Sequence, residues 1–253
     1  MAKISRVRIS RGAPKPLFDS IFLTCEHGGN LIPPEYAEFF AGKREVLKTH
    51  RGLDIGALAV AKQLAVKLDA PLLYVEISRL LIDLNRSSHN PRLFSEFTRT
   101  LAPDLRRQII DKHYTPHRRA VELAIKKEIS HGRRVLHLGI HSFTPVLNGV
   151  KRQAEVGVLY DPIRSHEKSI SERLVMSLKS HLKAASCAWR VRKNYPYYGS
   201  SDGLTTTLRQ RFKSSQYFGI ELEMNQAIVS SAAGRKQMTT MLSATLKELV
   251  SPS

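Results

Sequence analysis

Between Ser20 and Ile77 the sequence reads SIFLTC, then GALAVAKQLAVKLD, then LLYVEI. The outer two are short apolar segments with β-branched or aromatic members, and the middle one repeats Leu58, Ala61, Ala65 and Leu68 at helical spacing. That order predicts strand, helix, strand, the unit from which parallel sheets are built. The alternation continues. RVLHLGI (134–140), VGVLY (156–160), WRVRK (189–193) and FGIELEM (218–224) read as strands, while Pro103 to about Ile129, 166–184 and 231–250 read as helices. Within the first of these helices Glu122 stands four residues before Lys126, the favourable order for a pair. The predicted fold class is α/β, a single-domain three-layer sandwich around a mixed, largely parallel central sheet.

A chain of 253 residues can bury one sizeable core, so one domain over 18–253 is expected. The first 17 residues, MAKISRVRISRGAPKPL, hold five basic residues, no acidic one, and prolines at 14 and 16. They read as a flexible basic arm. Apolar runs are far shorter than the roughly 20 residues of a membrane-spanning helix, and no apolar signal core follows Met1, so a soluble cytoplasmic protein without membrane partners is expected. Cys25 and Cys187 form neither a C-x-x-C pair nor a disulfide framework, which leaves N and O ligands for any metal. Lys and Arg number 40 against 22 Asp and Glu, a net charge of +18 that attracts anions. The basic residues occur in ones and twos without an aromatic-interleaved RNA motif. A nucleic-acid partner is therefore not expected, although the charge leaves it open.

Strand ends carry the chemistry. FLTC runs into Glu26 and His27, HLGI into His141 and Ser142, GIELEM holds Glu221 and Glu223, and EISRLLIDLNR leaves through Asp83, Asn85 and Arg86. Ligands of α/β sheets collect at the carboxyl ends of strands, where the loops 86–91, 141–149 and 194–203 also lie. Two imidazoles with carboxylates are the raw material of a zinc hydrolase, which needs about three protein ligands and an open position. Period-2 alternation puts His137 on the face of His141, as a residue behind the site or a satisfied core histidine. Nucleophile-elbow, Walker and dinucleotide fingerprints are lacking.

These pieces, in the order CEHGGN, HRGLDIGALAVAKQLA (50–65), SRLLIDLNRS (78–87), GIHSFTPVLNGVKRQAEVGVLYD (139–161) and GIELEMNQ (219–226), make the chain similar to the N-formylglutamate amidohydrolase family over roughly residues 20–230. That family is related in fold to zinc-dependent exopeptidases and aspartoacylases. The resemblance implies an amidohydrolase-like catalytic domain that releases the N-acyl group, formate in the named case, from a small acidic N-acyl amino acid. It also implies zinc, with His27 and His141 as ligands and Glu223 as general base. Asn85 and Arg86 would hold the substrate α-carboxylate, and Arg79 would polarise the scissile carbonyl. Related exopeptidases carry a glutamate three residues after the first histidine; here that position is Asn30, a neutral and weaker third ligand, with Glu26 or Asp54 as alternatives to it. The aspartate expected two residues before the second histidine is Gly139.

Zinc would supply an activated water and a polarised carbonyl, Glu223 the proton transfer, and Arg79 a positive charge facing the developing oxyanion. A dicarboxylate substrate calls for a second cation, for which Arg152 is nominated, with Arg51 behind it. Spacing alone does not choose between Glu221 and Glu223, which point to one side of their strand; the E-x-N match favours Glu223. Two alternative readings remain at this stage. One is a nucleic-acid or anion-binding protein on a catalytically weakened hydrolase scaffold, and the other a zinc carboxypeptidase or peptidoglycan amidase.

Overall fold

The computed structural model describes residues 17–250, so residues 1–16 of the expected basic arm lie outside the described residues. Eight strands are formed: β1 (Ser20–Cys25), β2 (Leu72–Tyr74), β3 (Val135–Phe143), β4 (Val146–Leu147), β5 (Val150–Lys151), β6 (Val156–Leu159), β7 (Val191–Lys193) and β8 (Tyr217–Asn225). Six of them build one sheet in the order β2-β1-β3-β8-β6-β7, and β4 with β5 makes a separate hairpin. The pairs β2 with β1, β1 with β3 and β3 with β8 are parallel, β6 runs antiparallel to β8, and β7 is parallel to β6. The sheet is therefore mixed and mostly parallel, as the sequence predicts.

The helices are α1 (Arg44–Leu47), α2 (Ala57–Leu68), α3 (Pro103–Ile109), α4 (Thr115–Ser130), α5 (Ser165–Ala184), α6 (Leu204–Arg211), α7 (Gln226–Val229) and α8 (Ala232–Val250). The apolar faces of α2, α5 and α8 pack with the sheet into the main core, through Val60, Leu64, Leu174, Leu178, Leu242 and Leu246. On the other side α4 and α6 bury Val121, Ile125, Leu204 and Leu208 against Phe22, Val135 and Tyr217. Burying aliphatic faces on both sides of the sheet is what its near-continuous Val, Ile and Leu content requires. A third cluster, around Tyr36, Leu81, Leu84 and Ile109, seats the segment 78–87 beside the strand ends. None of the described helices is long and apolar enough to cross a membrane.

Two of the predicted elements differ from expectation. The strand predicted over 72–77 stops at Tyr74, because residues 75–77 leave the sheet to pair with the segment after β1: Val75 N donates to Cys25 O at 3.1 Å, Leu31 N to Glu76 O at 2.9 Å, and Leu31 bridges to Ile77. Gly28 and Gly29 permit that approach, since a Cβ on Gly29 would collide with the Glu76 backbone. The helix predicted from Pro103 onward is interrupted by a π-helical turn at Ile110–Tyr114.

The register aligns three strand ends. Thr24 pairs with Gly139, and His141 pairs with Glu223. Two residues beyond the first pair, Glu26 arrives beside His141, so Glu26, His141 and Glu223 occupy neighbouring positions at the carboxyl edge of β1, β3 and β8.

Candidate active site

Four chain segments join Glu223 of β8 on that edge. The turn after β1 supplies Glu26 and His27. The turn before α2 supplies Asp54, drawn in because its N–H donates to the His27 carbonyl at 2.9 Å. The third segment, 78–87, brings Arg79, Asp83, Asn85 and Arg86, and β3 brings His141. Glu26, His27, Asp54, Asp83, His141 and Glu223 are all buried. Burying so many ionisable groups is costly unless each is paired, and the pairings are specific.

Asp54 is the hub. Its Oδ2 lies 2.9 Å from His141 Nδ1 and 3.4 Å from His27 Nδ1. His27 Nδ1 faces that oxygen without making a hydrogen bond, a buried ring nitrogen with its lone pair or proton unsatisfied. On the far side of each ring stands a second carboxylate: His27 Nε2 is 2.7 Å from Asp83 Oδ1, and His141 Nε2 is 3.3 Å from Glu26 Oε2. Both imidazoles therefore turn Nδ1 toward Asp54 and Nε2 toward a carboxylate that receives its proton. A ring anchored in this way through one nitrogen presents the other as a ligand. One atom from each of His27, Asp54 and His141 falls within 4.8 Å of the others, a set that fits a divalent cation.

Arg79 completes the network, donating from Nη2 to Asp83 Oδ2 at 2.6 Å and from Nη1 to Asp54 Oδ1 at 3.5 Å. Electrostatics follows the contacts. Burial opposes ionisation of Asp54 and Asp83, but the imidazoles hold Asp54, and Arg79 with His27 holds Asp83, well below the usual carboxylate range. Burial and Arg79 disfavour charge on His27, and Asp83 and Asp54 outweigh them to raise its pKa. His141 is likewise raised, burial being overcome by hydrogen bonds to Asp54 and Glu26.

Glu223 behaves differently. Its Oε2 is buried without a hydrogen-bond partner, and burial pushes its carboxyl up to about 8, against the lowering effect of His141. Its neighbour Glu221 is already engaged, accepting from Thr205 Oγ1 at 2.9 Å. Gly157 of β6 pairs with Glu223, and a Cβ there would collide with the Tyr195 carbonyl and crowd the Glu223 Cβ at 3.2 Å.

These groups open on a cavity of about 350 Å³, lined by His27, Asp54, His141, Glu221 and Glu223, by Arg79, Asn85, Arg86 and Arg92, and by a wall that includes Phe143, Leu147, Tyr197 and Tyr198. Asn85 Oδ1 accepts from Leu204 N at 2.8 Å, and Arg86 donates to the Asp202 carbonyl at 3.1 Å, which ties 78–87 to the loop before α6. Asn30 is not part of the lining; the carboxylate brought between the two Nδ1 atoms is that of Asp54. Arg152 is buried behind the wall, with its guanidinium 5.0 Å from the Tyr197 ring centre and 5.5 Å from that of Phe143, and donates to Tyr197 Oη at 3.0 Å. It supports Tyr197 and does not line the cavity. Arg51 pairs with Glu96 in an adjoining recess. His137 is a satisfied core histidine, bonded to Thr24 and Tyr217. Sequence reasoning gave Asp83 no role, although it stands two residues ahead of Asn85 in a segment already singled out.

Comparison with known proteins bears on the family and the fold. The sequence model of the N-formylglutamate amidohydrolase family matches residues 19–230. No curated protein matches the chain. Among solved structures, the gene product Atu2144 from Agrobacterium tumefaciens is 28% identical, with a TM-score of 0.76 over 91% of this chain and 90% of that one. An N-formylglutamate amidohydrolase from Ralstonia eutropha JMP134 is 16% identical, with a TM-score of 0.61 over 93% of this chain and 95% of its own, a likeness of fold.

Proposed function

The chain belongs to the N-formylglutamate amidohydrolase family and is an amide hydrolase, and on that premise we propose that it cleaves the N-acyl amide of a small acidic amino acid, such as N-formylglutamate, with a divalent metal, zinc in the first instance. The observation that carries this reading is the pair of imidazoles that turn Nδ1 toward one carboxylate, Asp54, while a second carboxylate holds each Nε2. The Nδ1 of His27, buried without a hydrogen bond, supports the same set of ligands. When bound there, the cation supplies Lewis acidity, which activates water and polarises a carbonyl.

The rest of the chemistry belongs to side chains. Arg86 and Asn85 bind and orient the α-carboxylate, and Arg92, on the same wall, is available to a second carboxylate. Arg79, fixed by two carboxylates, keeps its positive charge beside the reacting carbonyl as the oxyanion develops. Glu223 takes a proton as the water oxygen attacks the acyl carbon, then returns it to the amide nitrogen as the C–N bond breaks, giving formate and the free amino acid. Its open Oε2 and the engagement of Glu221 with Thr205 favour Glu223 for this task. The cavity lies at the small end of small-molecule sites, which favours one N-acyl amino acid over a peptide or glycan chain.

Metal analysis of the purified protein, joined to assays of formate and acetate release across N-acyl amino acids, tests the proposal. One equivalent of metal with preference for an acidic substrate is expected. Formate release that persists unchanged after complete metal removal overturns the metal assignment, and equal turnover of neutral and acidic substrates overturns the substrate assignment.

A further inference from the structure

Glu26 is 1% exposed, and its ion-pair partners among the described residues are two histidines. Oε2 lies 3.3 Å from His141 Nε2, and Oε1 lies 3.7 Å from His117 Nε2. Neither Glu26 Oε1 nor His117 Nε2 has a hydrogen-bond partner, and these two buried atoms face each other. Burial alone opposes its ionisation, so the charge is kept there by the two imidazole contacts. Its position has a more specific consequence.

No residue of β3 can do the same work. Gly139, two residues before His141 and therefore on the same face, has no side chain, and a Cβ built there would stand 3.4 Å from His141 Nε2. The space next to that nitrogen is thus kept open on its own strand and filled from β1. The outer partner is also placed with care. The π-helical turn Ile110–Tyr114 leads directly into α4, whose first turn carries His117 and Arg118. Tyr114 Oη donates to the Arg86 carbonyl at 2.9 Å and Arg118 Nη1 to the Leu84 carbonyl at 3.3 Å, while His117 reaches Glu26. One helix entry therefore braces both the segment that holds Asp83 and the carboxylate behind His141. Single π turns of this kind recur at functional sites.

From this geometry we propose that Glu26 and His117 are positioning residues: Glu26 keeps a proton on His141 Nε2 so that Nδ1 faces the metal position, and His117 holds Glu26 in place. The two ligand rings then have unlike supports. His27 is backed by Asp83 and the permanently charged Arg79, and His141 by Glu26 and a second imidazole. This inference rests on the reading of His27, Asp54 and His141 as a metal group.

The test is zinc affinity, measured by chelator competition on the full-length wild type, Glu26→Gln, His117→Gln and the double variant, with the melting temperature of each metal-free protein and the visible spectrum of each cobalt-loaded one. Orienting groups of this kind typically matter by 10–100-fold in metal affinity. Glu26→Gln is expected to lose that much and to alter the cobalt spectrum, with a metal-free melting point close to wild type. His117→Gln is expected to lose roughly three- to tenfold alone and nothing further in the Glu26→Gln background, the pattern of two residues acting in series. Wild-type affinity and an unchanged cobalt spectrum in Glu26→Gln overturn the role of Glu26, and losses that add in the double variant overturn the relay through His117. If Glu26→Gln does not yield folded protein, His117→Gln decides alone, and unchanged zinc affinity there overturns the proposal. A wild type that binds no zinc brings down the metal reading and this inference together, which separates that failure from the others.

Discussion

His141 and Glu223 are register partners on adjacent parallel strands, so an imidazole turned toward Asp54 and a carboxyl with a free oxygen emerge side by side from the carboxyl edge of the sheet. This places the proposed proton carrier next to the proposed metal group by backbone pairing alone, without dependence on a mobile loop. Glu223→Gln keeps the shape and removes the acceptor, so kcat is expected to fall by roughly 100-fold or more, with metal content retained. Glu221→Gln, whose carboxylate is occupied by Thr205, is expected to change kcat much less. Measurement of kcat and metal content in both variants decides the assignment, and a loss confined to Glu221→Gln reverses it.

Because burial favours the neutral form of Glu223, its base form is populated only as pH rises. The profile of kcat/KM against pH should therefore carry an acidic limb that climbs toward alkaline pH, and the residual activity of Glu223→Gln should lack it. A limb that survives in the variant assigns the titration to another group.

The two carboxylates around His27 predict different losses. Asp54→Asn removes the charge shared by both Nδ1 atoms and is expected to abolish stoichiometric metal binding. Asp83→Asn leaves the three ligands in place but weakens the anchor on Nε2, so affinity should fall by about 10–100-fold. Metal analysis after gel filtration, with titration of the metal-free proteins, reads both. Full metal content in Asp54→Asn would falsify the proposed ligand set.

Arg86 lines the cavity, while Arg152 stands behind Tyr197. Replacing Arg86 by Leu removes a charge-assisted contact of roughly 1.5–3 kcal/mol, so KM for an acidic N-acyl amino acid should rise at least tenfold and that for its uncharged amide analogue much less. Equal weakening of both substrates would make Arg86 a scaffold residue. Arg152→Leu acts through the wall, and is expected to disturb all substrates alike.

What could be read in advance follows a physical division. Strand cores such as FLTC and VGVL announce themselves, because burial on both faces of a largely parallel sheet demands nearly unbroken apolar and β-branched runs. Strand ends follow from these, and with them His27, His141, Glu221 and Glu223. The LTTTLRQR helix was not legible, since three consecutive threonines carry no helical preference and its burial of Leu204 and Leu208 is set by tertiary packing. Asp54 lies 27 positions beyond His27, and only the backbone hydrogen bond between them brings it in; spacing could offer it as an alternative to Asn30 but could not choose. The second carboxylate on each imidazole belongs to the same class of information. Glu26 serves the histidine of another strand while sitting next to His27 in sequence, a relationship that arises only once β1 and β3 are in register.

His137, four residues before His141 on the same strand, gives the final prediction. It is fully buried, and burial lowers its pKa to about 4 from an ordinary 6.5, the ring being held between Thr24 and Tyr217. Between those two values the unfolded chain binds a proton that the folded protein does not. The stability this residue contributes is therefore intact above about pH 6.5 and is lost as pH falls toward 4, by roughly 3 kcal/mol over the whole window. Other groups also titrate there, so the useful quantity is the gap in unfolding free energy between wild type and His137→Asn, which cannot take up the proton. Urea unfolding of the metal-free proteins at pH 7.5 and 4.5 should show the wild-type advantage shrinking by about 2–3 kcal/mol on acidification. A gap that stays constant across that range would mean that the ring is protonated in the fold, with Thr24 and Tyr217 both accepting from it.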